Sequence, residues 1–194
     1  MILAEDPADP EALTVLATES GISIEQFRRE LIARIGENIS VRRFERLATD
    51  GGVLGGYKHG DRIGVVVELS GGDTDLARDL AMHVAAMRPT CVDADQIPAE
   101  TMEKERAILV AQAQESGKPP EIVAKMVDGR MRKWLAEITL VGQPFVKDPD
   151  QTVGELVGKA GAKVLRFARL EVGEGIERRE EDFVAEVRAQ AEGR

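Results

Sequence analysis

Apolar and polar positions follow a helical period over one long stretch of the chain, Pro98 to Ile138, and shorter periods elsewhere. In the first half of that stretch Met102, Leu109 and Ala113 form a narrow apolar stripe. In the second half Val123, Val127, Met131, Trp134 and Ile138 recur at spacings of four, four, three and four, the signature of a helix with one buried face. Between them Gly117-Lys118-Pro119-Pro120 stops one helix and starts the next, because glycine accepts a left-handed terminus and proline fits only a first turn. The pattern predicts an antiparallel helical hairpin, with Glu100/Lys104, Glu121/Lys125 and Asp128/Arg132 as i,i+4 ion pairs on its outer faces.

The remainder predicts short helices and strands. Residues 1–21, with Pro7, Pro10 and the small patch Leu13, Val15 and Leu16, read as a leader into a helix. Ser23 and Gln26 form a capping-box pattern there, Ile22 and Phe27 stand at staple positions, and Ile24, Phe27, Leu31 and Ile35 make a stripe that ends at Gly36. Such a helix is expected to lie on something. Asn38–Leu47, Val53–His59 and Arg62–Leu69 read as a three-stranded antiparallel meander, turning at Gly51-Gly52 and at His59-Gly60-Asp61. Asp73 or Thr74 can cap a helix with the stripe Leu76, Leu80, Val84 and Met87, closed by Arg88-Pro89. After the long hairpin, Thr152 and Glu155 repeat the capping-box pattern. Lys163–Val172 then reads as a strand with Leu165 and Phe167 on one face, which returns to pair with the meander. Glu180–Ala191 is an amphipathic helix carrying Phe183, Val184 and Val187. The fold class is therefore α+β: small antiparallel sheets flanked by helices, with an inserted helical hairpin and a C-terminal helix.

Charge and composition narrow the function. Of 194 residues, 35 are acidic and 26 basic, a formal charge of −9. That balance argues against direct nucleic-acid binding, which needs a clustered positive surface. No segment approaches the roughly 20 apolar residues of a membrane span. The acidic start Met1–Pro7 is unlike a signal peptide, so a soluble protein of the cytoplasm or an organelle matrix is expected. Cys91 has no second cysteine to pair with. His59 and His83 are not spaced as metal ligands, and neither a G-x-x-x-x-G-K-[ST] nor a G-x-G-x-x-G loop occurs. No catalytic residue, cofactor or metal site is therefore expected. His59 sits at a predicted turn, either as a solvated turn residue or as a contact; His83 falls beside an apolar stripe, as a packed or a flanking histidine. Gln143-Pro144-Phe145-Val146 puts two apolar side chains in a proline-containing loop, to be explained by burial or by docking. These residues suggest a binding protein with a helical arm.

Several segments together resemble the elongation factor Ts family of bacterial and organellar translation. They are Ile35-Gly36-Glu37-Asn38-Ile39 with Arg42-Arg43; Gly56-Tyr57-Lys58-His59-Gly60 with Arg62–Val65; and Ala81-Met82-His83-Val84-Ala85-Ala86. Further along come Gln114–Pro119, Lys125-Met126-Val127 with Gly129-Arg130-Met131, Gly142–Val146, and Phe167–Gly175. The resemblance implies a nucleotide-exchange factor, not an enzyme, that binds the GTPase elongation factor Tu and promotes GDP release. It implies that 1–52 are the latter part of a first core subdomain, 53–91 with 141–175 a second, 92–140 an inserted hairpin or dimerisation element, and 176–194 a C-terminal module. Ile35, Gly36, His59 and Val146 match positions that contact the GTPase, Lys147 stands beside them where family members carry an apolar residue, and Phe183 and Val187 belong to the contacting terminal helix. Family members also carry an N-terminal helical domain and a Thr-Asp-Phe-Val motif whose Asp and Phe intrude near the nucleotide. Here the only Asp-Phe is Asp182-Phe183. The resemblance therefore implies a core portion that binds with weakened exchange. The alternative is a dimerising scaffold that acts through the hairpin.

Overall fold

The computed structural model describes residues 1–176. Its centre is a sheet of three strands, β1 (Val53–His59), β2 (Ile63–Ser70) and β5 (Lys163–Glu171), in the order β1-β2-β5 and antiparallel throughout. β1 and β2 are a tight hairpin closed at Gly60, as the turn residues predict. Along β2 the valines alternate: Val65, Val67 and Leu69 face inward and are buried, as a pleated strand with one covered face requires. What covers them is α4 (Thr74–Met87), started by the Asp73 carboxylate, which accepts the Leu76 N–H at 2.8 Å, and ended by Arg88 in the left-handed region. Its Ala77, Leu80, Ala81 and Val84 are fully buried against the sheet. The approach is close enough to exclude a side chain at Gly55, where a Cβ would meet the Ala77 carbonyl carbon at 2.3 Å.

The meander differs from expectation. Asn38–Leu47 forms no strand, so among the described residues no strand pairs with the outer edge of β1; β5 pairs with β2 on the other side, as expected of the returning strand. The 38–47 segment is held instead by side chains: Arg28 donates to the Ile39 carbonyl at 2.7 Å, and Arg166 on β5 donates to Ala48 O at 2.9 Å. Arg42 and Arg43 find partners in the turn after β5, and Arg46 pairs with Asp6 at 3.3 Å, so side chains rather than a backbone ladder anchor the segment. β5 also shifts register opposite Glu68/Leu69, pairing Leu69 with Val164 and Glu68 with Arg166. The extra residue moves Leu165 out to the surface and puts Val164 in the core on the side of Phe167, because a bulge breaks the two-residue alternation.

The N-terminal part contains α1 (Ile2–Glu5), α2 (Pro10–Thr14) and α3 (Ile24–Ile35). Ser23 caps α3, accepting the Gln26 N–H at 3.1 Å, but the Gln26 side chain turns to Glu30, so the box is half closed. No α3 residue is buried; Phe27 is 52% and Ile35 53% exposed. Its neighbour is the short α2, whose Leu13 is buried, and not the sheet expected beneath it.

The long stretch folds as α5 (Ala99–Gln114) and α6 (Pro120–Ile138), which pack on each other through Leu109, Ala113, Val127 and Met131, with Met102, Val123 and Trp134 at the margins. Glu100 and Lys104 pair as expected, at 2.6 Å; Asp128 reaches across to Arg106 at 3.2 Å instead of along the helix to Arg132. At the base of the hairpin the departing and returning chains lie side by side, Leu140 N–H to Cys91 O at 2.9 Å and Val141 N–H to Val92 O at 3.1 Å. Among the described residues no helix is long and apolar enough to cross a membrane. The returning chain makes β3 (Pro144–Phe145), β4 (Asp148–Thr152) and α7 (Val153–Lys159) before β5. The α7 capping box closes fully: Thr152 accepts the Glu155 N–H and Glu155 accepts the Thr152 N–H. The tail that carries Phe183 and Val187 lies outside the described residues.

Candidate functional site

The remaining singled-out residues occupy three exposed corners. Ile35 ends α3, and Gly36 follows as its C-cap at φ 80°, with no atom within 4 Å of where a Cβ would stand. The glycine is there for its left-handed backbone, since nothing crowds the position. The chain then enters Glu37–Arg43, which forms one wall of a cleft of about 710 Å³; Lys58, Asp61 and Arg62, around the β1–β2 turn, form the other.

His59 is the last residue of β1 and is exposed. Its Nδ1 lies 3.1 Å from the Tyr57 hydroxyl, and the two rings are 6.2 Å apart. Residues two apart on a strand share a face, so Tyr57, partly buried against the core, steadies a ring that faces solvent.

An ion-pair network locks the same end of the sheet. Glu171, paired with Ile63 at the strand end, is bonded by Arg169 at 2.6 Å and Arg88 at 2.8 Å, with Arg62 at 3.6 Å. The Arg169 hydrogen bond, with the charges of Arg88, Arg169 and Arg62, holds the Glu171 carboxyl below its ordinary range. Three turn residues later Glu174 takes Arg169 at 3.0 Å and Arg43 at 2.8 Å, while Arg42 donates to its backbone carbonyl at 2.6 Å. The network ties the segment after Gly36 to the end of α4 and to the β1–β2 turn, so Gly36 and His59 flank one cleft.

Val146 and Lys147 are the two residues that turn the chain from β3 into β4. Burial accounts for Phe145 of this loop, whereas Val146 is 40% exposed. Two α4 residues one helical turn apart grip the pair. The Asp79 carboxylate accepts from Lys147 Nζ at 2.6 Å, and His83 Nδ1 accepts the Val146 N–H at 3.1 Å. His83 is packed, as one of the two expected alternatives, and fully buried, with its Nε2 2.9 Å from Gln143 Oε1 and its ring 5.9 Å from Phe145. Burial pushes its pKa down. The role of Asp79 was not legible in advance, because an acid on a surface helix has no mark that names a partner 68 residues away. His83 carried a weak signal: a histidine three residues after Leu80, inside an apolar stripe, needs polar partners. Thus α4 positions the Val146 corner and packs against β1, which ends in His59; the Ile35 corner depends on the arginine network.

The chain is similar throughout to one family. The family model for elongation factor Ts matches residues 1–174. The elongation factor Ts of Thioalkalivibrio sulfidiphilus is 61% identical over 194 residues, all of this chain and 66% of that protein; that of Alkalilimnicola ehrlichii is likewise 61% identical over 194 residues. The elongation factor Ts of Legionella pneumophila strain Paris is 55% identical over 184 residues, 95% of this chain and 63% of its own length. The chain thus spans about two thirds of these curated relatives. With a match that runs through both sides of the cleft and the Val146 turn, the chain belongs to the elongation factor Ts family.

Proposed function

We propose that this chain binds elongation factor Tu through Ile35, Gly36, His59, Val146 and Lys147, joined by Phe183 and Val187 of the tail, and that it promotes GDP release. The observation that carries the reading is the exposure of apolar Ile35 at the end of α3 and of Val146 on a turn that His83 holds from beneath. Isolated exposed apolar residues are ordinary; one held on a turn by a buried histidine and a charged contact is presented as a docking surface requires. The mechanism is differential binding. Tighter association with the nucleotide-free GTPase than with its GDP form lowers GDP affinity by the same factor.

No Thr-Asp-Phe-Val occurs in these 194 residues, so on its own the chain binds with weakened exchange. In the proposed division 1–52 belong to a first subdomain, 53–91 and 141–175 to a second, 92–140 to an inserted arm and 176–194 to a terminal module. Release of fluorescent GDP from elongation factor Tu tests the reading. Measurable binding with slower release than a full-length relative supports; no binding overturns it; full exchange activity removes the emphasis on the absent motif.

A second reading rests on the hairpin, where Ile108 on α5 and Ile122 on α6 are about half exposed. Pairing with a second copy through that arm would make the chain a dimerising scaffold. Sedimentation at increasing concentration decides it, and a monomer throughout eliminates it.

A further inference from the structure

We propose that His83 is a positioning residue for the partner-facing turn: from inside α4 it fixes the Val146 backbone and so sets the direction in which Val146 and Lys147 are presented. The inference rests on the partner reading above for its consequence, though its geometry stands independently of it.

The hydrogen-bond pattern decides the chemistry. The Val146 N–H points at His83 Nδ1 at 3.1 Å, so that nitrogen must be unprotonated. The proton of the neutral ring is therefore on Nε2, which donates to Gln143 Oε1 at 2.9 Å. The Gln143 amide is oriented in turn by donating from Nε2 to the Glu137 carbonyl at 2.6 Å. Its backbone is held too, since the Val153 N–H donates to Gln143 O at 3.0 Å. The chain of donors runs in one direction, from Val146 through His83 and Gln143 to the last turn of α6. It joins the turn, the central helix and the base of the hairpin.

A histidine suits the position because one side chain must accept on one edge and donate on the other while uncharged and fully buried. Carboxylates cannot donate, lysine cannot accept, and an apolar residue would leave the Val146 N–H and the Gln143 carbonyl oxygen without partners. The second grip, Lys147 to Asp79, joins side chains that are 49% and 36% exposed. Exposed ion pairs contribute little, so the buried contact sets the turn.

Isosteric substitutions separate the two edges. In His83→Asn the amide oxygen replaces Nδ1 and keeps an acceptor for Val146; in His83→Gln the amide nitrogen replaces Nε2 and keeps only the donor to Gln143. In the full chain, hydrogen exchange at the Val146 amide is expected to stay protected in wild type and His83→Asn and to accelerate by about tenfold or more in His83→Gln and His83→Ala, as loss of a buried hydrogen bond worth about 1–2 kcal/mol implies. Binding to elongation factor Tu is expected to weaken by about tenfold in His83→Gln and to recover in His83→Asn, by the same conversion. Equal Val146 protection in all four proteins overturns the clamp. Equal affinity of wild type and His83→Gln, with the amide freed, overturns the positioning role. Failure of the wild-type chain to bind removes the partner reading and the positioning role with it, while the amide data still decide the clamp.

Discussion

Helices α3 and α4 present the same kind of pattern, an apolar stripe at helical spacing behind an N-cap side chain that accepts from the third residue on. In α4 Leu80 and Val84 of the stripe are fully buried against the sheet with Ala77 and Ala81, while Leu76 is partly buried and Met87 exposed at the ends; in α3 no residue is buried. Amphipathicity states that a helix has a face to cover, and it names neither the cover nor the chain that supplies it. α4 succeeds within the described residues because β1 and β2 immediately precede it and offer a flat apolar face with Gly55 cleared for contact. α3 is followed by a segment that is bound through arginine side chains and offers no such face.

Truncation inside α4 should have the largest effect. Leu80→Ala leaves a cavity in a fully buried site and is expected to cost about 2–5 kcal/mol, whereas Phe27→Ala on α3 should cost about 0.5 kcal/mol or less; chemical denaturation of both variants measures the contrast. Comparable losses would mean that α3 is covered in solution. Next in size is Gly55→Ala, expected to cost about 1–3 kcal/mol by overpacking, because the new methyl would press on backbone atoms that cannot turn aside. A stability equal to wild type would show that α4 can move off the sheet. Cap deletions sharpen the comparison further. Thr152→Ala opens a reciprocal pair of bonds and should cost about 1 kcal/mol, while Ser23→Ala removes a single bond from a helix with no buried residue and should cost less.

Acid should separate the regions in order. His83 has its pKa lowered by burial, so the unfolded chain takes up the proton first and the body loses stability as pH falls below about 6.5. Glu25 is held down to about 2 from an ordinary 4.5, first by its hydrogen bond to Arg28, then by that to Arg29. Its contribution is complete above pH 4.5 and is lost only as pH falls from there toward 2. Amide protection across α3 and α4 during a titration reads both windows; α3 loosening first would reverse the assignment.

Much of the fold was open to reading from the chain. The hairpin followed from its stripes and its Gly-Lys-Pro-Pro turn, β1–β2 from alternation and a tight turn, and the α7 cap from Thr152 and Glu155. These signals are local, and each residue involved finds its partner within a few positions. Reading failed where partners were distant. Asn38–Leu47 has strand-like composition, but Arg42 and Arg43 are drawn to Glu174 across 132 and 131 residues, and no ladder forms on the outer edge of β1 among the described residues. Leu165 faces solvent, against the alternation that puts it with Phe167, because the bulge beside it depends on the register of a partner strand. Of the candidate site, His59 and the 143–146 loop were visible as turn residues, while the Asp79 and His83 grips were not.

The sequence by itself determined the α+β class, the helical arm, most element boundaries and, through segments distributed over the chain, the family. Tertiary structure decided what each face meets: which strand completes the sheet, which stripe is buried, and which histidine faces solvent. Periodicity depends on one backbone at a time, whereas contact depends on two surfaces brought together by chain topology, and the second surface is written elsewhere in the chain. His59 and His83 make the difference concrete. Both stand near apolar residues in sequence; one ends a strand in the open, and the other, on the buried face of α4 against the base of the hairpin, holds the turn that carries Val146.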